Sequence, residues 1–335
     1  TALRLAHRFD FLDPPGRHKR HKKPMPLVGG VVLFVALWGS VTLVFAVFPD
    51  SFEGQRSSLP YLLCGALIVF LVGLSDDLAP LSAWTKLFAQ VAAGLVLYLG
   101  GLSINPVSVP FMGSFEIGSF SILITVIWVV LLTNAVNLID GLDGLAAGVS
   151  LIAAATMAVI GHLYQAGPVV VFACALAGFL AVFLFYNHYP ARTFLGDSGS
   201  LQIGFYFAVV SLLVPVKTFT AAALYLPLMA LGVPLLETSI SISRRLMAGR
   251  NVMKADRRHL FHYLALAGLS PRAIVWVFYL LSAVFSLFAL AMYFWDRRIV
   301  FAILVLFMVV IFALFFIFMT SVNRPGQGPG GRNRK

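Results

Sequence analysis

Ten apolar segments in this sequence are long enough to cross a lipid bilayer, and they limit the fold more than any other feature. A spanning helix needs about 20 apolar residues, or somewhat fewer where the bilayer thins. Soluble domains carry about 25% charged residues, whereas this chain has 11% charged and 60% hydrophobic residues. We therefore predict an all-α fold, a polytopic membrane helix bundle. The predicted spans are 27–48, 60–75, 85–100, 120–136, 145–164, 168–187, 201–216, 219–243, 272–294 and 298–320.

The whole chain, 1–335, is predicted to form one membrane domain. The chain opens with Thr1 and not Met, so a further segment is expected upstream, and a spanning helix there, before the first basic segment, would give the full protein eleven spans. The polar stretch 101–119 is expected to form a small surface hairpin. Cys64 and Cys174 lie in apolar runs and are predicted to be small buried hydrophobes. The domain divides into a basic segment 1–26, the bundle 27–320 and a basic Gly/Pro-rich tail 321–335, expected to be disordered.

Lys and Arg residues are distributed unevenly between the two sides of the predicted bundle. Ten spans leave 20 of them on one side and only Arg56, Lys217, Arg297 and Arg298 on the other. The positive-inside rule assigns the richer side to the cytoplasm, which predicts a multi-pass protein of the bacterial inner membrane. The net charge of +11 then indicates contact with anionic lipid and not with nucleic acid. The cytoplasmic segments are 1–26, 76–84, 137–144, 188–200, 244–271 and 321–335.

Five of the thirteen acidic residues lie at cytoplasmic ends of spans: Asp76, Asp77, Asp140, Asp143 and Asp197. Two adjacent carboxylates at a helix end repel each other. No Lys or Arg lies close to the first pair in sequence, so we expect a bound cation or a mobile proton there. The alternative is a solvated helix end. Oxygen ligands without a Cys or His cluster favour Mg²⁺, with Mn²⁺ as a substitute.

A second polar cluster repeats every three residues at 134, 137, 140 and 143. On a continuing helix these two carboxamides and two carboxylates would share one face. Such a stripe is costly beside an apolar span unless a ligand or metal satisfies it. The alternative is that Asp143 simply caps the next helix. The four residues are Asn134, Asn137, Asp140 and Asp143.

A third cluster, 187–200, combines Asp197 with glycines and hydroxyls just before an apolar run. This pattern suits a phosphate or metal-phosphate site at a helix N-terminus, where backbone N–H groups point outward. A plain capped loop is the alternative reading.

Two basic segments complete the predicted cytoplasmic face. The first, 17–23, is read as an orientation signal or lipid-surface patch, with a substrate contact as the alternative. In the second, Arg257, Arg258, His259 and His262 could meet a diphosphate together, or form a solvated basic face. Glu237 lies inside a predicted span beside Pro234 and is a weaker candidate.

Carboxylates combined with basic and Gly-rich elements meet the needs of phosphoryl transfer, which depends mainly on positioning and charge stabilisation. The chain has no Gly-x4-Gly-Lys-Ser/Thr loop, so ATP hydrolysis at a P-loop is not expected. Five motifs, in order, resemble those of the polyprenyl-phosphate N-acetylhexosamine-1-phosphate transferases, which include the phospho-MurNAc-pentapeptide translocase. They are Arg17-to-Gly30, Ser75-Asp76-Asp77, Asn134-to-Gly144, Asn187-to-Gly199 and Asp256-to-His262.

The resemblance implies a role for each matched residue. Asp197 matches the family's Mg²⁺ ligand, and Asp76 and Asp77 match paired aspartates needed for activity, the first proposed to deprotonate the lipid phosphate. Whether attack is direct or passes through an aspartyl intermediate stays open. Further matches are Asn137, Asp140 and Asp143 in the nucleotide-sugar cleft, Asn187 and Phe194 on the uracil, Lys22 or Lys23 in the same pocket, and His259 and His262 in the histidine motif.

The resemblance implies transfer of N-acetylhexosamine-1-phosphate, best matched by GlcNAc-1-phosphate, from a UDP-sugar to undecaprenyl phosphate, with release of UMP. This step initiates cell-envelope glycans such as lipopolysaccharide, and a homodimer is a further expectation. Phe261 departs from the His-x-His-His motif of the O-antigen-initiating branch. Phospho-MurNAc-pentapeptide transfer is the alternative within the family. An ion-coupled transporter and a lipid-binding scaffold are alternatives outside it, although five of the six span-associated acids lie at one rim and not at the bilayer midplane.

Overall fold

A computed structural model describes residues 11–13, 24–109, 113–214, 231–247 and 260–322 of the protein. Within these ranges the fold is helical, apart from two short antiparallel strand pairs. Strands β1 (Leu12–Asp13) and β2 (Met25–Pro26) form one pair, and β3 (Val107–Val109) and β4 (Gly113–Phe115) form the other. The helices are α1 Gly29–Val47, α2 Leu59–Leu78, α3 Ala83–Leu99, α4 Ser121–Ile139, α5 Leu145–Leu163, α6 Gly167–Asn187, α7 Gly196–Leu213, α8 Gly232–Met247, α9 Leu260–Leu266, α10 Pro271–Phe294 and α11 Arg297–Val322.

Seven helices in the described part of the chain are long and apolar enough to cross a bilayer. They are α1, α2, α4, α5, α6, α10 and α11, and each overlaps a predicted span. Helix α3 is apolar but has only 17 residues, and α7 begins with the polar sequence Gly-Asp-Ser-Gly-Ser, five residues before the predicted span. The predicted span 219–243 lies partly outside the described residues. The polytopic helical bundle is therefore confirmed, while the count of ten stays a prediction.

Helix α7 lies at the centre of the bundle and is buried along nearly its whole length. It packs against α1, α2 and α4, and glycines at the crossings let the backbones approach closely, as is typical of helices in membranes. A Cβ atom added to Gly73 would lie 2.5 Å from the Cα of Ser198. Further along α7, a Cβ added to Gly204 would lie 2.5 Å from the Leu132 carbonyl oxygen of α4. The N-terminus of α7 is thereby fixed against its neighbours.

One local prediction is confirmed and one is wrong. The hairpin expected within 101–119 is present as β3 paired with β4. Cys64 and Cys174 are exposed and not buried, because apolar runs on the outer helices can face lipid as well as protein.

Candidate active site

Four side chains from four helices meet at one end of the bundle. Asp197, in the first turn of α7, accepts hydrogen bonds from Lys86 (Nζ to Oδ2, 2.8 Å) and from Asn137 (Nδ2 to Oδ1, 3.2 Å). Lys86 also donates to Asp76 at 3.2 Å. The Asn137 amide donates in addition to the Ser200 hydroxyl at 2.9 Å. These contacts join α2, α3, α4 and α7 in one half-buried cluster, the Asp197 cluster.

The expectation that Asp76 and Asp77 have no basic partner is wrong for Asp76. Helix α3 turns back after a four-residue connection and brings Lys86 between Asp76 and Asp197. The other carboxylate oxygen of Asp76 accepts from the backbone N–H of Leu81 at 2.8 Å, within that connection. The Lys86 ammonium group therefore offsets the repulsion between Asp76 and Asp197.

Asp77 contacts the start of α7. Its two oxygens accept hydrogen bonds from the backbone N–H groups of Asp197 (2.7 Å) and Ser198 (3.1 Å), and from the Ser198 hydroxyl (2.5 Å). These are N–H groups that a helix leaves unpaired at its N-terminus. The predicted metal and catalytic roles of Asp77 stay predictions. Its contacts indicate that it positions the backbone of Asp197.

The polar stripe that begins at Asn134 does not continue as one helical face. Asn134 pairs with Gln90 (Nδ2 to Oε1, 2.6 Å) and Asn137 reaches Asp197, but α4 ends at Ile139. Asp140 lies at the helix C-cap, and Asp143 lies in the following turn, where it accepts a hydrogen bond from the Ala191 N–H at 3.0 Å. The shared face was predicted for a continuing helix, and the helix stops before Asp140 and Gly141.

Asn187 connects two loops at this end of the bundle. Its side chain is buried, accepts a hydrogen bond from the Gly144 N–H at 3.0 Å, and donates to the Thr193 carbonyl at 2.9 Å. Phe194 is half-buried, and its backbone pairs with Pro26 and Gly29. The predicted contacts of Asn187 and Phe194 with uracil stay predictions. The Pro-Leu-Val-Gly-Gly element, 26–30, therefore lies next to the third cluster. Two segments that contribute to one site must lie close together in this way.

Helix α9 supplies the described part of the last predicted motif. His262 is half-buried, and its ring lies 4.3 Å from that of Phe261, measured between centroids. The predicted contacts Lys22, Lys23, Arg257, Arg258 and His259 lie outside the described residues.

Sequence reasoning missed Lys86 and Gln90 as members of this site, whereas Ser200 belongs to the third predicted cluster, 187–200. Lys86 had a usable signal, because it is the sole charged residue of the predicted span 85–100. An ionisable residue in a spanning segment is functional by default. Gln90 carries no comparable signal, since it belongs to no repeated polar pattern.

Asp140 has a pKa raised to about 7 by burial, and by the charges of Asp197, Asp77 and Asp143. The folded protein then holds a proton that the unfolded chain releases near pH 4. Stability should therefore fall as the pH rises from about 4 to 7 and level off above that range. Asp140→Asn removes the titrating group, so the fall should be smaller in the variant.

Melting temperatures in detergent with EDTA, measured at several pH values between 5 and 8, would test this expectation. A wild-type protein whose pH profile matches that of Asp140→Asn would contradict it. EDTA matters here because a bound cation would favour the ionised carboxylate and hide the effect.

The carboxylate oxygens of the Asp197 cluster are of the kind that binds a hard divalent cation. Asp76 and Asp197 both direct a carboxylate oxygen at the Lys86 ammonium, so the position between them already accommodates positive charge. Among the described residues, no group of three or more His, Cys, Asp or Glu side chains could hold a metal ion. Mg²⁺ does not need such a group, because it is usually bound by one or two carboxylates together with water and substrate phosphates.

Residues 59–215 match the family model described as glycosyl transferase family 4. The chain is also similar over most of its length to three named proteins. One, from Bacillus subtilis (strain 168), is named a probable undecaprenyl-phosphate N-acetylglucosaminyl 1-phosphate transferase; it is 35% identical over 314 residues, which cover 92% of this chain and 85% of the relative.

The second is a decaprenyl-phosphate N-acetylglucosaminephosphotransferase from Mycobacterium tuberculosis (strain CDC 1551 / Oshkosh), 32% identical over 318 residues, with 88% of this chain and 78% of the relative covered. The third is a phospho-N-acetylmuramoyl-pentapeptide-transferase from Clostridium botulinum (strain Eklund 17B / Type B). It is 30% identical over 302 residues, with 84% of this chain and 87% of the relative covered.

Proposed function

The chain belongs to glycosyl transferase family 4, the polyprenyl-phosphate N-acetylhexosamine-1-phosphate transferases, and we propose that it transfers GlcNAc-1-phosphate from UDP-GlcNAc to undecaprenyl phosphate. The reaction forms a bond between a phosphate oxygen of the lipid and the β-phosphorus of the nucleotide sugar. It breaks the bond from that phosphorus to the oxygen shared with the α-phosphate. UMP leaves, and the lipid product is a polyprenyl diphosphate sugar that initiates a cell-envelope glycan.

The observation that carries this proposal is the convergence of Asp197, Asp76 and Lys86 on one point, beside the N-terminus of α7. Phosphoryl transfer needs positive charge around the phosphate oxygens and little other chemistry from the protein. Lys86 would supply one such charge, and Asn137 holds the Asp197 carboxylate in a fixed orientation. Asp77 holds the backbone that carries Asp197. The site therefore combines a cation, carboxylates and rigid support.

Asp197 and Asp76 are the residues that would hold Mg²⁺. When bound, the ion would supply charge neutralisation for the diphosphate of the nucleotide sugar. Lys86 would then contact phosphate oxygens as well as carboxylates, because an ammonium group has three donors.

The loops next to the Asp197 cluster would hold the nucleotide sugar. Asp140 and Asp143 lie in the turn that follows α4, and Asp143 is tied to the 188–195 loop through the Ala191 N–H. Phe194 lies in the same loop and would stack on the base. The excess of Lys and Arg on this side of the bundle supports a cytoplasmic orientation, so that the water-soluble donor arrives from the cytoplasm and the lipid from between helices.

The sugar is the least fixed part of the proposal. The Bacillus and Mycobacterium relatives are named for GlcNAc-phosphate transfer, and they favour UDP-GlcNAc. The Clostridium relative is named for phospho-MurNAc-pentapeptide transfer, which makes that reaction the second candidate. A homodimer stays a prediction, and sizing of the purified protein in detergent would test it.

UMP release by the purified protein is the test of the reaction. With UDP-GlcNAc, undecaprenyl phosphate and Mg²⁺ all present, we expect UMP to form, and omission of any one of them, or addition of EDTA, should stop it. UMP from UDP-GalNAc or UDP-MurNAc-pentapeptide but not from UDP-GlcNAc would keep the chemistry and correct the sugar. No UMP from any UDP-sugar, with protein that is folded by its melting curve, would refute the transferase reaction for this chain.

A further inference from the structure

Glu237 is a buried carboxylate that holds the beginning of α9. Its side chain is 1% exposed, and both of its oxygens accept hydrogen bonds from the backbone N–H of Leu260, at 2.9 and 3.1 Å. A buried carboxylate is costly unless hydrogen bonds compensate it. A hydrophobic residue at this position would pack without that cost. The carboxylate is therefore better explained by the need to fix α9 than by packing of α8.

Phe261, the next residue of α9, contacts the loop that carries two predicted site carboxylates. Phe261 is 4% exposed, and its ring lies against Gly141, where an added Cβ atom would be 2.5 Å from the ring atom Cζ. Gly141 directly follows Asp140 and precedes Asp143 by two residues. The ring also lies next to the imidazole of His262. Two contacts, one at each of two successive residues, thus dock α9 between α8 and this loop.

We propose that Glu237 and Phe261 are positioning residues that dock α9 on the loop 140–143. They would thereby hold His262 and the carboxylates of that loop in position to bind the nucleotide sugar. The functional half of this inference rests on the proposed function. The docking itself rests only on the contacts of Leu260 and Gly141. Because Phe261 fills the space against Gly141, its apolar ring has a packing role at the position where the O-antigen-initiating branch carries a histidine.

Glu237→Ala is the first test. It should speed the hydrogen exchange of backbone amides in 260–266, and lower kcat/KM for the UDP-sugar by about 10- to 100-fold, since misplacement of a catalytic group by about 1 Å has an effect of this size. The KM for polyprenyl phosphate should change less than about twofold, because α9 docks on the loop assigned to the donor. Glu237→Gln keeps an acceptor for the Leu260 N–H and should recover most of the activity.

Ser241→Ala is the matched control for Glu237→Ala. Ser241 lies one turn further along α8, is 2% exposed, and its hydroxyl has no hydrogen-bond partner among the residues that the structure describes. Loss of this hydroxyl should leave exchange and kinetics unchanged. If Glu237→Ala lowered only the melting temperature and left kcat/KM for the donor intact, the positioning role would be overturned.

A double-mutant cycle tests the second contact. Gly141→Ala places a methyl group against the Phe261 ring and should lower kcat/KM for the donor. Gly178→Ala should not, because a Cβ added there meets no described residue within 4 Å. In a Phe261→Ala background the ring is absent, so Gly141→Ala should add little further loss. Full additivity of the two changes would overturn the docking contact.

Hydrogen exchange tests the docking of α9, and the kinetics test its role in the proposed reaction. If the wild-type protein released no UMP from any UDP-sugar, the proposed function would fail. The docking would then be decided by exchange alone: faster exchange of 260–266 in Glu237→Ala would support it, and unchanged exchange would overturn it.

Discussion

Asp197→Asn should lower kcat for UMP release by about a thousandfold, the size of effect seen when one preorganised charge-stabilising group is removed, while the protein still folds. Asp197 is the shared acceptor of the Asp197 cluster, since Lys86 and Asn137 both donate to it. The carboxamide has the same shape but no charge. The variant would also lose one of the two carboxylates that we propose hold Mg²⁺.

The fold should survive this substitution because the remaining contacts of the cluster are intact. Lys86 keeps its hydrogen bond to Asp76, and Asp77 contacts the backbone and not the side chain of residue 197. Asp197 is also half-buried and not sealed in the core. Loss of activity with an unchanged melting temperature is therefore the expected pattern.

Asp50→Asn is the matched control. Asp50 forms an ion pair with Arg56 at 3.3 Å, but its side chain is 94% exposed and lies away from the cluster. Exposed pairs contribute little to stability, so activity and melting temperature should both stay at the wild-type level. Activity of Asp197→Asn within about tenfold of wild type, far below the loss expected of a charge-stabilising group, would remove Asp197 from the chemistry.

The membrane bundle could be predicted because hydropathy is a property of each segment by itself. All seven helices that qualify as spans within the described ranges overlap predicted ones. The convergence of Asp197 with Asn137 could be expected only from the family resemblance. The two residues are 60 positions apart, and no local pattern determines which helix ends meet. The role of a single side chain is harder to predict than the position of a helix. Asp77 is a residue type that commonly binds metals, yet it accepts hydrogen bonds from the start of another helix.

The errors share a physical cause. Lys86 is ten positions from Asp76 in the sequence, and the connection 79–82 folds α3 back onto α2, so that the two side chains meet. Helical spacing predicts a stripe from Asn134 to Asp143, but the glycine after Asp140 favours the end of a helix. Local periodicity describes a segment only as long as its helix continues, and these residues lie where helices stop.

Gly196→Ala should both destabilise the protein and abolish most of its activity. Gly196 has a φ of +73°, in the left-handed region, where a side chain costs about 1–2 kcal/mol. In addition, its Cβ atom would lie 2.5 Å from Oδ2 and 2.8 Å from Oδ1 of Asp77. That carboxylate cannot move without giving up its three hydrogen bonds to the start of α7. The substitution therefore strains the backbone and displaces the side chain that positions Asp197.

Gly54→Ala separates these two effects. Gly54 has a similar φ of +77°, but an added Cβ there meets nothing within 4 Å in the described part of the chain. Its cost should be the backbone strain alone, about 1–2 kcal/mol, with UMP release unchanged below the melting temperature. Gly196→Ala should melt lower than Gly54→Ala and lose about 100-fold or more in kcat, because the aligned carboxylate is displaced. Equal melting temperatures and equal activities in the two variants would show that the hydrogen bonds from α7 to Asp77 position nothing that the reaction needs.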